Sequence, residues 1–146
     1  MIIEQHSIDE WLSNEKPYKI KMVKELLKNN NEEETAKLWL ITNGIENTKS
    51  FGGSQTSLPK DTYWNRFRQE FDMFLCGHPK YQSVRDSIVK NGNIVQISSS
   101  ALISSAIANY MGIASCFISV PVVLMLDAFS RIALNAYCKN FHFKDK

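Results

Sequence analysis

Residues 93–126 read NIVQISSSALISSAIANYMGIASCFISVPVVLML, and with Asn91 and Gly92 they make 36 consecutive positions without a charged side chain, between Lys90 and Asp127. The way this run is buried decides the fold. Its first part is crowded with small residues: Ser98, Ser99, Ser100, Ala101, Ser104, Ser105, Ala106 and Ala108. Ser100 with Ser104, and Ser104 with Ala108, recur at i and i+4, a spacing that lets a second helix backbone come close in water or in lipid. Gly112 predicts a break. Ser119, Val120 and Pro121 resemble an N-cap followed by proline in the first helical turn, so a last helix is expected from about Val120 into the 130s.

Two surroundings account for the missing charge. In the first, Ala106 to Leu126 is a single span of 21 uncharged residues, close to the roughly 20 that cross a hydrocarbon core, with the basic tail KNFHFKDK on the cytoplasmic side. In the second, a helical hairpin is enclosed by amphipathic helices of the same chain. Polar content favours the second. Gln96, five serines and Asn109 precede Gly112, and such groups cost more in lipid than in a protein core that hydrogen-bonds them.

Outward from the run, the rest of the chain supplies those enclosing helices. The first 92 residues carry 13 basic and 13 acidic side chains, against 4 and 2 in the remainder. Ser7-Ile8-Asp9-Glu10 is a capping box that starts a short helix through Trp11 and Leu12 and ends before Pro17. In YKIKMVKELLKN, Ile20, Val23, Leu26 and Leu27 recur at helical spacing among lysines. Asn31 caps a helix with Glu32, Glu33 and Glu34 in its first turn, stopped by Gly44, and Leu38 to Ile41 are apolar on every face. Asp61 caps the clearest helix, with Trp64, Phe67, Phe71, Phe74 and Leu75 on one side and Gly77 and Pro79 at its end. Arg66 and Glu70 are expected to pair on its wet side, while Arg68 must snorkel or meet a carboxylate such as Asp72. A further helix runs from Lys80 to Gly92.

The 146 residues, 22% of them charged, describe one domain, 1–146, with no internal repeat and no linker at Gly92. Within it, 1–92 holds amphipathic helices and one long loop at 46–60, 93–141 the small-residue helix and the apolar helix, and 142–146 a basic tail. The start MIIEQHSIDEWLSNE has neither the basic n-region and apolar stretch of a secretory signal nor the acid-poor character of a presequence, so a cytoplasmic location is expected, with the inner or cytoplasmic membrane as the alternative. A formal charge of +2 is too small to argue for nucleic acid, and no nucleic-acid partner is expected.

Candidate chemistry is thin. Cys76, Cys116 and Cys138 lie in apolar contexts and read as reduced core thiols. Cys76 and His78, with Cys138 and His142 one helical turn apart, would make a four-ligand zinc set, but the spacing matches no standard module, so no metal and no cofactor is expected. A Cys76 nucleophile with His6, His78 or His142 as base lacks an orienting third group. Glu70 and Asp72 fall on different helix faces, against paired carboxylate catalysis. The 46–60 loop contains GGSQTS, which lacks the P-loop lysine and the dinucleotide glycine spacing.

The expectation is an all-α compact helical bundle of five to seven helices with a C-terminal apolar hairpin. Its expected role is a small non-enzymatic interaction or regulatory protein that self-associates or acts within a complex. The interface would use Ser100, Ser104 and Ala108, with Asp127 and Arg131 as an i,i+4 pair, read as a rim ion pair or a contact fixing a subunit. A membrane-associated effector with one span near 106–126 is the alternative, and a Cys/His metal protein or enzyme comes third.

Overall fold

A computed structural model describes residues 2–43, 61–88, 94–95 and 97–139. Eight α-helices occur among them: α1 (Ile8–Trp11), α2 (Pro17–Leu27), α3 (Glu32–Asn43), α4 (Asp61–Cys76), α5 (Gln82–Ile88), α6 (Ser100–Met111), α7 (Ser119–Phe129) and α8 (Leu134–Cys138). The architecture is all-helical apart from a two-residue parallel ladder, in which Ile2 pairs with Ile94 and Ile3 with Val95. The 46–60 loop, the Gly44 stop and the 142–146 tail lie outside the described residues.

The uncharged run resolves into two different elements. α7 is the axis of the core: Val120 to Asp127 and Phe129 are buried, on every side of the helix, and α3, α6, α1 and the Ile2–Ile3 strand pack around it. A helix buried all round must be apolar all round, which explains the second half of the charge silence. α6 is buried on one side only, along Ser100, Ile103, Ser104, Ile107 and Ala108. Gly112 ends it at φ +76, a left-handed cap that lets the Ile113 amide donate to the Ala108 carbonyl at 3.0 Å.

The stretch 106–126, the alternative membrane span, is therefore two helices with a break and a 3-10 turn (Ser115–Phe117) between them. No helix among the described residues is long and apolar enough to cross a membrane. The last helix also divides: α7 stops at Phe129, where the Ser130 hydroxyl donates to the Asp127 carbonyl at 2.6 Å, and α8 starts afresh at Leu134. Ser119 lies inside the first turn of α7 and does not cap it; the N-cap is Ile118, without a side-chain bond.

Locally encoded features behave as their spacing predicts. In α1, the Ser7 hydroxyl accepts from the Glu10 amide at 3.2 Å while the Glu10 carboxylate accepts from the Ser7 amide at 3.0 Å. Asn31 and Glu34 form the same reciprocal pair at 2.7 and 3.1 Å in front of α3. Replacing Ser7 by Ala should cost about 1 kcal/mol of stability, and chemical denaturation of S7A checks it. The five expected residues of the α4 stripe are all buried. They start a file of rings, each 5.7 Å from the next, through Trp64, Phe67, Phe71 and Phe129, closed by Tyr137 of α8 at 4.7 Å from Phe129. In α3, Trp39 and Leu40 are buried, but Leu38 is 37% exposed, so that helix keeps a wet side.

Candidate functional site

The side chains singled out by the sequence fall into three places. The first is α6. Ser100, Ser104 and Ala108 are 9%, 2% and 2% exposed and face inward, so the close helix contact they permit is made inside the chain and they offer no surface to a subunit. The opposite side of α6 shows Ala101, Leu102, Ser105, Asn109 and Tyr110 to solvent. It is uncharged, repeats the small-residue spacing at Ala101 and Ser105, and is flanked by Leu102 and Tyr110, 45% and 41% exposed. Two stripes of α6 are thus small, and the i,i+4 spacing of Ser100, Ser104 and Ala108 marks the inner one.

The second place is the end of α7. Asp127 is no rim residue: it is 2% exposed. Arg131 reaches its Oδ2 at 3.1 Å and Glu32 of α3 at 2.5 Å, so the contact joins two helices of one chain rather than two chains. Asp127 Oδ1 is buried and receives no hydrogen bond from a protein donor, while Glu32 lies in hydrogen-bonding contact with this carboxyl. A proton on Asp127 removes the like-charge contact with Glu32. Burial, reinforced by Glu32, accordingly raises the Asp127 pKa to about 6, and the bond from Asp127 is the main cause that lowers Glu32. Alongside, Gln5 Nε2 donates to the Ser130 carbonyl at 3.1 Å, and Gln5, His6, Glu10, Ser130 and Arg131 line a shallow polar cleft. Glu4, bonded to His6 Nε2 at 2.8 Å, raises the imidazole pKa.

The third place is the Cys-Gly-His-Pro-Lys-Tyr turn, 76–81. Cys76 and Cys138 form a disulfide, with 5.3 Å between Cα atoms. This corrects the reading of both as reduced core thiols, and it removes the zinc set as drawn, because both thiolates are consumed. α8 ends at Cys138, and His142 lies outside the described residues. His78 Nδ1 accepts from the Lys80 amide at 3.0 Å, so the ring braces the turn. Among the described residues no three metal-ligating groups cluster. The remaining cysteine, Cys116, is free and exposed rather than core.

The same turn explains the pairs the sequence misassigned. Glu70 does not pair with Arg66 in water. It is 5% exposed and accepts from the Tyr81 hydroxyl at 2.6 Å and from Lys80 Nζ at 3.0 Å; burial, reinforced by Glu70, pushes the Tyr81 phenol upward. Arg66 instead donates to the Tyr110 carbonyl at 3.2 Å. Arg85 donates to the carbonyls of Phe74 and His78 at 3.0 and 2.7 Å, satisfying the end of α4. Arg68 finds Asp72 at 3.7 Å as expected, but also Glu33 at 2.5 Å and the Tyr137 hydroxyl at 2.7 Å, partners supplied by α3 and α8.

No protein-family model, no curated protein and no solved structure matches this chain. Two of the three places, the Asp127–Arg131–Glu32 knot and the disulfide turn, hold helices of one chain together. On the outer face of α6, Tyr110 packs on the Tyr81 ring and donates to the Lys80 carbonyl, while Ala101, Leu102, Ser105 and Asn109 face solvent.

Proposed function

We propose that this protein is a small non-enzymatic interaction protein that self-associates through the outer face of α6. The observation that carries this reading is the exposed, charge-free surface formed by Ala101, Leu102, Ser105, Asn109 and Tyr110 in a chain of which 22% is charged. Charged residues are depleted at the centres of protein interfaces, and apolar and aromatic groups are retained there. Ala101 and Ser105 let a second backbone approach, and a second copy of α6 brings the same small stripe to meet them, as a two-fold contact requires. Leu102 and Tyr110 stand at the margins of the stripe and supply apolar area. Arg66, which donates to the Tyr110 carbonyl, and Lys80, whose Nζ stands 4.4 Å above the Tyr110 ring, make a polar rim.

Analytical ultracentrifugation over a concentration series tests it. The wild type is expected to show a reversible dimer, and Leu102→Glu or Ser105→Lys should weaken it by at least about tenfold while leaving the thermal midpoint of the monomer unchanged. A wild type that stays monomeric at its highest soluble concentration, or variants that dimerise as well as the parent, would sink the proposal.

A further inference from the structure

α8 lies against α4 at the end of a short exposed connection. Arg131 is pinned by Asp127 and Glu32, but Ile132 and Ala133 beyond it are open to solvent, so the chain has a pivot immediately before Leu134. Among the described residues, three side chains of α8 hold it down: Leu134, which is buried, Tyr137 on the Phe129 ring, and Cys138 through its bridge to Cys76 of α4. Both bridged cysteines are half-buried rather than enclosed. We propose that α8 is a redox-controlled strap: a dithiol reductant that opens the Cys76–Cys138 bridge releases α8 from α4 while α1 to α7 stay packed.

Without the bond, opposing interactions at the docked position nearly cancel. α8 has five residues, and its backbone contributes little, through bonds such as the Tyr137 amide to the Ala133 carbonyl at 3.0 Å and the Lys139 amide to the Ala136 carbonyl at 3.3 Å. Tyr137 rests on polar groups as well as on Phe129. Arg68 Nε is buried and meets no acceptor among the described residues, and burial pushes the Asp72 carboxyl upward. Release gives both groups water, and Arg68 keeps Glu33 and Asp72, which belong to α3 and α4. On the other side stand the ring contact with Phe129 and the Tyr137 hydroxyl at 2.7 Å from both Arg68 and Asp72, bonds that water replaces. The covalent bond overrides this balance.

The helices left behind do not depend on the strap. α4 retains α3 and α6, and α7 retains α1, α3 and α6. Release therefore uncovers the Phe129 ring and the Arg68–Asp72 pair on a folded body, a surface that the oxidised protein hides.

The step is thiol–disulfide exchange. One thiolate of the reductant attacks a sulfur of the bridge, and the other cysteine leaves as a thiolate that takes up a proton. The reductant's second thiolate then displaces the mixed disulfide. The dithiol ends as a disulfide, and two electrons and two protons pass to Cys76 and Cys138, which end as thiols.

Amide hydrogen exchange followed by NMR tests the strap, on full-length Cys116→Ser protein, oxidised and in excess dithiothreitol, well below the thermal midpoint. Reduction should speed exchange at Tyr137 and Lys139 at least about tenfold and open the Arg68 Nε proton to water, while the amides of Phe67 to Phe74 and Val123 to Leu126 keep their protection. Reoxidation should restore the slow state. Cys138→Ser, without reductant, should reproduce the reduced pattern, and the reduced parent carries the test if that variant does not fold. The proposal is overturned if the bridge stays closed in excess dithiol, if Tyr137 and Lys139 stay equally protected once it is open or replaced, or if α4 and α7 lose protection together with α8.

Discussion

Breaking the Cys76–Cys138 bridge lowers stability by about 3 to 4 kcal/mol and the Tm by about 10 °C. The cysteines are 62 residues apart in sequence, so the bond removes a long loop from the unfolded ensemble, and the chain-entropy argument gives an effect of this size. It also anchors α8, which has only five residues and too few backbone bonds to persist alone. On α8, the Tyr137 hydroxyl donates to Asp72 at 2.7 Å and its ring closes the aromatic file against Phe129. Loss of the bridge should therefore be felt at Arg68 and Asp72, which Tyr137 links. The measurement is thermal unfolding of Cys116→Ser protein with and without reductant, beside Cys138→Ser. Serine at 116 prevents thiol exchange. Equal midpoints in all three samples would show that the bridge contributes nothing.

The second large effect is electrostatic and depends on pH. In the folded protein the Asp127 carboxyl has its pKa raised from the ordinary 3.8 to about 6, chiefly by burial, so the native state holds that proton more tightly than the unfolded chain. Its contribution is then complete below the unfolded value, and stability falls as pH rises from about 4 through about 6. Glu32 is displaced downward, so its contribution has the opposite sign and is lost as pH falls through its folded value, below the ordinary 4.5. Near pH 7 both carboxyls are charged against the single Arg131 guanidinium. Asp127→Asn should raise stability there by about 1 to 2 kcal/mol and flatten the fall between about pH 4 and 7. Arg131→Met should cost about 2 to 3 kcal/mol near pH 7 and less near pH 5, where the proton on Asp127 removes one of the two negative charges. Urea unfolding of both variants across that range is decisive. A parent and an Asp127→Asn variant with parallel pH profiles would mean that this carboxyl titrates normally.

The α4 stripe, the Ser7 capping box, the Asn31 cap and the Gly112 break were legible because each is made within a few residues. Periodicity and i,i+3 reciprocity leave their mark in the order of the letters. Arg131 illustrates the limit. Asp127, four residues before it, is written in the local sequence, but Glu32 lies 99 positions away and arrives only when α3 packs on α7. Glu70 was misassigned for the same reason: the Arg66 four residues earlier looked like a partner, whereas the chain reverses at Gly77, φ +95, and delivers Lys80 and Tyr81. The two cysteines that join were read as separate thiols because their neighbours in sequence are apolar and their neighbour in space is another cysteine.

The 36 uncharged residues carry the same division. Their composition pointed to a region largely shielded from water and to helices able to pack closely, and Gly112 to a turn within it. Composition left open which neighbour does the shielding, because protein and lipid reject charge for the same dielectric reason. Packing resolved that question for α7, which α1, α3 and α6 surround, and it chose between the two small stripes of α6, turning Ser100, Ser104 and Ala108 inward and Ala101 and Ser105 outward. Those stripes are nearly equal in size and polarity. Their difference lies in the surfaces of other helices, and contacts between distant segments form only once the chain has folded.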